Sequence, residues 1–202
     1  MVISGAQMSN ANKNQFTHLK IHTQYSICEG AIKIIDLKGY CKKHKIQAIG
    51  LSDTKNLCGA LEFAENISKV GTQPIIGTQI NFKFKGHIGI LPIIANNFEG
   101  YKNIIRLSSK SYIENKTTDK PHCLFQELLK IKSGVTVFSG FFGGLIGNLF
   151  SKNLLTEIDE ILEKIKDTFG DKFYLEVQRH NDFGEKLFED FMLKKSNDLA
   201  IP

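Results

Sequence analysis

Short apolar runs with β-strand character alternate along this chain with longer segments in which apolar residues recur at helical spacing. The short runs predict strands at Phe16–Thr23, Gln47–Leu51, Pro74–Phe84, Ile88–Ala95, Val135–Ser139 and Phe173–Val177. The periodic segments predict helices at Ala31–Lys45, Gly59–Val70, Asn97 (as the cap) to Ser111, Pro121–Lys132, residues 156–169 and Phe183–Lys195. Strands and helices alternate, with one hairpin near Lys85-Gly86, so the pattern predicts an α/β fold with a mostly parallel sheet or barrel.

The helix predicted at residues 156–169 has the clearest pattern in the chain. Its apolar face consists of Ile158, Ile161, Leu162, Ile165 and Phe169. Thr156 and Asp159 resemble a capping box in which Asp replaces the usual Glu. The glycine-rich stretch at residues 140–147 lacks the Gly-Lys-Ser/Thr ending of a phosphate-binding P-loop, so we interpret it as a tight loop.

Residues 1–15 are polar and show no periodicity, which predicts a disordered leader, with translation starting at Met1 or Met8. Residues 16–202 show no internal boundary and are interpreted as one domain. The 202 residues are 42% hydrophobic and 23% charged, a composition typical of a globular domain that folds without disulfides.

Charge and cysteine content narrow the class of protein only slightly. The net charge of +5 permits contact with nucleic acid without arguing for it. The four cysteines form no CxxC pair, which argues against a zinc ribbon or a redox motif. No apolar run approaches the roughly 20 residues that cross a bilayer. We therefore expect a cytoplasmic protein with reduced thiols.

Polar side chains follow several of the predicted strands, where α/β barrels carry their sites. His22 and Glu29 follow the first strand, Asp53 follows the second, and His180 follows the last one. Imidazole and carboxylate groups together suit zinc or manganese. From spacing alone this signal is weak, and a hydrogen-bonded polar cluster at the mouth of a barrel explains the same residues.

Seven sequence strings occur in a recognisable order. Among them are Gln73-Pro74-Ile75-Ile76-Gly77 and Ser139-Gly140 with its glycine-rich tail, and the others lie at residues 16–31, 48–57, 59–63, 99–104 and 174–180. In this order and at these intervals they resemble the PHP (polymerase and histidinol phosphatase) domain at the N-terminus of the alpha subunit of bacterial DNA polymerase III. The resemblance covers about residues 16–202 and is similar in detail to alphaproteobacterial members.

The resemblance implies a distorted (β/α)7 barrel whose strand-end side chains bind up to three metal ions in metal-competent members. Such members act as phosphoesterases or as proofreading 3′–5′ exonucleases. In others the metal site has decayed, and the domain stabilises the polymerase and docks a separate exonuclease subunit. Leu199–Pro202 matches the start of the family's next strand, so we expect a barrel that is incomplete at the C-terminus in this chain, as a fragment or as a natural truncation.

The resemblance also indicates which residues of this chain occupy the metal-ligand positions of the family. Four keep a ligating residue, namely His22, Glu29, Asp53 and His180. Five do not, namely Lys20, Thr54, Gln79, Ile90 (with His87 nearby but out of register) and Phe141. A protonated lysine repels a cation, so we expect a vestigial site that binds no metal or only residual zinc or manganese. Lys20 could then pair with Asp53 or Glu29 in place of a metal. Magnesium would serve the polymerase region, which is absent from this chain.

Three functions remain open from the sequence. The first is a scaffold in a replicative DNA polymerase, in contact with the proofreading exonuclease subunit and the rest of the alpha subunit, and with DNA through the holoenzyme. The second is an independent metal-dependent phosphoesterase or 3′–5′ exonuclease. The third is an unrelated α/β binding module. The resemblance favours the first, and in it this segment alone is not catalytic.

Overall fold

The computed structural model describes residues 16–116, 119–131 and 133–202, so the predicted leader at residues 1–15 lies outside the described residues. The helices in this part are α1 (Ile34–His44), α2 (Ala60–Ser68), α3 (Phe98–Ile113), α4 (Phe125–Leu129), α5 (Leu145–Phe150), α6 (Leu155–Phe169) and α7 (Glu185–Leu199). The strands are β1 (Ala48–Thr54), β2 (Gln73–Phe84), β3 (His87–Ala95), β4 (Cys123–Leu124), β5 (Val135–Phe138) and β6 (Phe173–Tyr174).

One mixed sheet organises these elements, and it is not closed into a barrel. Its order is β1-β2-β3-β5-β6, and β4 pairs with the far end of β2. β1 and β2 are parallel, as are β5 and β6, whereas β3 is antiparallel to both of its neighbours. The hairpin that reverses the chain turns at Lys85 and Gly86, both of which have positive φ. The predicted α/β class is therefore confirmed, and β3 is the strand that reverses direction in a sheet that otherwise runs one way.

The prediction of a regular strand at Phe16–Thr23 is wrong. This segment lies beside β1, where the backbone nitrogen of Ile21 donates to Gly50 and that of Gly50 donates to His18. These contacts amount only to isolated bridges. Gly50 explains the close approach, because a Cβ there would lie 2.4 Å from the carbonyl oxygen of Leu19.

Three further expectations about local structure are wrong. The helix predicted at Pro121–Lys132 is the two-residue β4 followed by the short α4, and Lys132 lies outside the described residues. The supposed capping box makes no side-chain cap, because α6 begins one residue earlier with Leu154 at the cap position. Part of the glycine-rich stretch is helical, since α5 begins at Leu145. By contrast, the Asn97 cap is confirmed, and its side chain accepts from the backbone nitrogen of Gly100 at 2.9 Å.

The apolar core has two parts. The smaller part lies between α1, α2 and β1 and includes Ile34, Ile49, Leu51, Phe63 and Ile67. The larger part lies under α3 to α7 and includes the whole predicted apolar face of α6. Burying side chains of this size contributes roughly 1.5–3 kcal/mol each, which is the main source of stability for a sheet covered by helices.

Among the helices in the described part of the chain, none is both long and apolar enough to cross a bilayer.

Candidate functional site

The carboxyl end of β1 places Asp53 at the centre of a polar network. Asp53 is fully buried. Its two carboxylate oxygens accept hydrogen bonds from the backbone nitrogen of Thr23 (2.6 Å), the hydroxyl of Thr23 (2.8 Å) and the hydroxyl of Ser26 (2.7 Å). A buried carboxylate with three donors is well satisfied, so Asp53 holds the loop after residue 22 against the end of β1.

His22 and Glu29 join the same network through Thr54. The hydroxyl of Thr54 donates to Glu29 and lies 3.5 Å from Nδ1 of His22. Ser26 approaches the same ring nitrogen at 3.5 Å, and Nε2 of Gln79 lies 3.2 Å from Nε2 of His22. Burial, followed by the positive charge of Lys20, lowers the pKa of His22, while the nearby carboxylates oppose that shift. The imidazole is therefore neutral at pH 7 and able to accept a hydrogen bond.

Lys20 lies at the other side of this network. Its Nζ is 2.7 Å from Oε1 of Glu176 and 4.6 Å from the centroid of the Phe141 ring. The two charged side chains are only 19% and 13% exposed. Burial lowers the pKa of Lys20, and the carboxylate of Glu176 opposes this effect. The expectation that Lys20 pairs with Asp53 or Glu29 is wrong, because both of those carboxylates are engaged by hydroxyl donors.

Glu176 was missed as a site residue in the sequence. It follows β6, at the end of a predicted strand, which was the available signal. Its second oxygen is buried and has no hydrogen-bond partner among the described residues. Gln79 shows the same feature, since its Oε1 is unpartnered in that part of the chain although the residue is only 2% exposed.

The fourth predicted ligand, His180, does not join the others. It is exposed, and its backbone nitrogen donates to Glu185 at 2.7 Å. Its neighbour Arg179 forms an ion pair with Glu189 at 2.8 Å. The structure therefore brings His22, Glu29 and Asp53 into one network and leaves His180 apart.

The side chains at the strand ends do not fit a metal centre. A lysine ammonium lies inside the cluster, and Gln79 turns its amide nitrogen, which cannot ligate a metal, towards His22. Within the ranges 16–116, 119–131 and 133–202, no group of three or more His, Cys, Asp or Glu side chains is arranged to hold a metal ion. The cluster can hold the two edges of the sheet together through the ion pair of Lys20 and Glu176.

Those two edges border an open seam, which we define as the gap between residues 16–20 and residues 176–178. The seam contains a cavity of about 370 Å³. Its wall is mainly apolar and includes Phe16, Leu19, Pro92, Ile94, Phe138 and Val177. The pair of Lys20 and Glu176 crosses the seam at the end nearest the polar network.

An open mixed sheet covered by helices, with polar side chains gathered at the carboxyl ends of its strands, defines an α/β protein with a strand-end site. The family model named PHP domain matches residues 18–180, and the chain belongs to that family.

The chain is similar to the DNA polymerase III subunit alpha of several bacteria. It is 33% identical to that of Borreliella burgdorferi, 34% to that of Rickettsia felis and 33% to that of Caulobacter vibrioides. These alignments cover 94%, 93% and 86% of this chain. The chain spans only 16–17% of the length of these relatives. Among solved structures, an amidohydrolase from Chromobacterium violaceum matches 47% of this chain and 32% of its own, with 14% identity and a TM-score of 0.39.

Proposed function

We propose that this chain is a scaffolding and docking PHP domain of a replicative DNA polymerase. In this proposal the ammonium group of Lys20 stabilises the strand-end site in place of a metal ion. The observation that carries the proposal is the ion pair of Lys20 with Glu176, 2.7 Å apart and largely buried. A single ammonium group on the chain then supplies the positive charge at the cluster, without an exchangeable ligand.

The position of this pair supports a structural role. Lys20 belongs to the segment beside β1, at one edge of the sheet, and Glu176 follows β6 at the other edge. Few backbone hydrogen bonds hold the first segment, so an ion pair across the seam restrains both edges at once. This restraint keeps the surface around the strand-end site in one conformation. Such a preformed surface is suited to docking, because it loses less entropy on binding.

The partners in this proposal are the proofreading exonuclease subunit and the remainder of a polymerase alpha subunit, with DNA reached through the holoenzyme in the cytoplasm. Similarity to DNA polymerase III alpha subunits over most of the chain supports this assignment. This chain aligns with only 16% of the length of such a subunit. Nucleotidyl transfer, and the magnesium that it uses, would belong to the remaining part.

The first test is the metal content of the 202-residue chain, purified without a chelator and without metal-affinity resin. We expect fewer than about 0.1 equivalents of zinc or manganese by elemental mass spectrometry, because a lysine cannot ligate and repels cations. A second sample is incubated with excess zinc or manganese and desalted. One equivalent or more retained after desalting would contradict the proposal.

The second test is docking. The chain is mixed with the exonuclease subunit of a related bacterium, and the complex is sought by size-exclusion chromatography with light scattering. We expect a one-to-one complex that forms equally well in EDTA. A complex that requires added metal, or none with subunits from several relatives, would argue against a metal-independent docking domain.

A metal-dependent phosphoesterase or 3′–5′ exonuclease is the second candidate. It is consistent with the family, and the observation in its favour is that His22, Glu29 and Asp53 still share one network. Its signature is hydrolysis of bis-p-nitrophenyl phosphate or of a labelled single strand of DNA. EDTA would abolish this hydrolysis. Metal-dependent turnover that Asp53→Asn removes would establish it over the scaffold.

A further inference from the structure

Charge is distributed unevenly along this chain. Residues 155–202 contain 12 acidic and 7 basic side chains, whereas residues 1–154 contain 9 acidic and 19 basic ones. The net charge of +5 therefore conceals an acidic C-terminal part, which includes α6 and α7, and a strongly basic remainder. A polyanion is attracted to a surface where basic side chains outnumber acidic ones.

Basic side chains lie along α1 and directly after α1 and α2, two helices that pack side by side, whereas α2 itself contains Glu62 and Glu65 and no basic residue. Lys38 and Lys42 are four residues apart and share one face of α1, and Lys45 follows that helix as its C-cap, in the left-handed conformation. Nζ of Lys38 contacts Oδ1 of Asn66 on α2 at 3.4 Å, and Lys69 lies one turn beyond Asn66. We call Lys38, Lys42, Lys45 and Lys69 the basic surface.

The lysines of the basic surface have no carboxylate partner, a property that they share with other lysines of the described residues such as Lys43, Lys55 and Lys83. Elsewhere, lysines on α3, α6 and α7 form ion pairs with Asp or Glu. Across the three described ranges, no carboxylate lies within 4.0 Å of an ammonium group of the basic surface, including Glu65, which precedes Lys69 by one turn. Residues 1–15, 117–118 and 132 contain no Asp or Glu. These four charges are therefore not neutralised within the chain.

The helix dipole explains the positions of only some of these unpaired lysines. Lys42 lies in the last turn of α1, where a cation is favourable. Lys38 lies in the middle of the helix, however, where the dipole has no such effect. The basic surface also lies far from the strand-end site. α1 leads into the start of β1, whereas Asp53 lies at the opposite end of that seven-residue strand, roughly 20 Å away at 3.3 Å per residue.

We propose that the basic surface binds the phosphate backbone of double-stranded DNA, at the end of the fold opposite the strand-end site. Lysine is depleted in the cores of protein–protein interfaces but is a usual contact for nucleic-acid phosphates. Four ammonium groups without carboxylate partners, two on α1 and one directly after each of α1 and α2, supply a binding site that depends on charge and not on sequence. This inference does not rest on the docking role proposed above.

The test is fluorescence anisotropy with a labelled 20-base-pair duplex of mixed sequence and the 202-residue chain, at salt concentrations from about 20 to 200 mM. We expect binding at low salt that weakens with a slope of log K against log salt of about −3 to −4, because each phosphate contact contributes about −0.9. The variant K42Q/K45Q/K69Q removes three of the four charges. We expect its slope to be about −1 and its affinity at low salt to fall at least tenfold.

The matched control is K164Q/K172Q/K186Q, which removes the same charge from lysines that have carboxylate partners. We expect it to bind the duplex as the parent does. Thermal unfolding of both variants verifies that they are folded. If the first variant does not fold, the slope of the parent chain and the single variant K69Q still decide the question.

Three results would overturn the proposal. The first is no binding of the duplex at 20 mM salt, and the second is an equal loss of affinity in both triple variants. The third is tighter binding of a labelled polyglutamate peptide than of the duplex at the same salt, which would indicate an acidic protein segment as the partner.

Discussion

At the scale of single residues, the ion pair of Lys20 and Glu176 is the contact on which most depends. Two charges that are largely removed from water interact strongly, but only while both are present, since a lone buried charge is costly. Glu176 has one oxygen without a partner in the described part of the chain, and its other oxygen accepts from Lys20 and from the side-chain amide of Gln178. Lys20 supplies the only positive charge among these contacts.

Replacing Lys20 with Met keeps the aliphatic stem and removes the charge. We expect Lys20→Met to lower the free energy of unfolding by about 2–3 kcal/mol, somewhat less than for a fully buried pair. Urea denaturation measures the change. The double variant K20M/E176Q should recover part of the loss, because it leaves no lone carboxylate. Lys186→Met on the exposed face of α7 is the control, and an equal effect in both single variants would contradict the role assigned to Lys20.

The four thiols provide a second prediction at this scale. Cys28 and Cys58 are exposed, whereas Cys41 and Cys123 are buried. Burial raises the pKa of Cys123 to about 11, so at pH 8 this thiol is both inaccessible and protonated. We expect two thiols per chain to react rapidly with a disulfide reagent such as DTNB, and two to react only on unfolding. Four rapid reactions would show that the core described here is wrong.

At the scale of elements, two glycines with opposite surroundings test how closely helices and loops approach. In α3, a Cβ on Gly100 would lie 1.6 Å from the carbonyl oxygen of Gly134, which leaves no room for a side chain. In α1, Gly39 has nothing within 4 Å of the corresponding position. The same substitution therefore has opposite expected effects in the two helices.

We expect Gly100→Ala to destabilise the protein by several kcal/mol, because the loop at Gly134 must move. Gly39→Ala should stabilise it by about 0.5–1 kcal/mol through helix propensity alone. Thermal unfolding of the two variants beside the parent chain makes the comparison. A similar melting temperature for both would mean that α3 does not pack against the loop as described.

Elements with a long periodic pattern were predictable from the sequence, and elements made by tertiary contacts were not. α6 and the Asn97 cap of α3 follow from local spacing and hydrogen bonding. β4 has two residues, and it exists because Phe82 and Lys83 of β2 provide a ladder for it. The segment beside β1 alternates like a strand, but it pairs with β1 at a few points only. Such pairing depends on distant residues that no local pattern contains.

The candidate site was predictable to a similar degree. The sequence indicated His22, Glu29 and Asp53, because each follows a predicted strand. It did not indicate that Ser26 and Thr54 would connect them, since hydroxyl residues in loops are common. It also assigned the wrong partner to Lys20. The choice between Asp53, Glu29 and Glu176 depends on which carboxylates are already occupied, and only the folded arrangement decides that.

At the scale of the whole molecule, the open seam divides the sheet into a well-held part and a weakly held part. β2 and β3 are the longest strands and pair with each other along eight residue pairs. The segment at residues 16–23, by contrast, depends on a few hydrogen bonds and on Lys20. Local stability therefore falls from the centre of the sheet towards the seam.

Hydrogen exchange can measure this gradient. We expect the amides of Ile80 and Ile93 to exchange slowest, near the rate of global unfolding, and the amide of Ile21 to exchange faster. Lys20→Met should accelerate exchange at Ile21 and Ser52 by more than it accelerates exchange at Ile80, because the pair restrains the seam first. Uniform acceleration across the sheet would mean that the seam does not open separately.

The order of strands in the sheet, β1-β2-β3-β5-β6, is also their order in the chain. A polypeptide that leaves the ribosome can therefore add each of these strands to the edge that the previous one has just formed, without threading between strands already paired. Contacts between neighbours in sequence close small loops, which keeps the entropy cost of each addition low and favours fast folding. The sheet is thus suited to assembly during synthesis, from its first strand to its last.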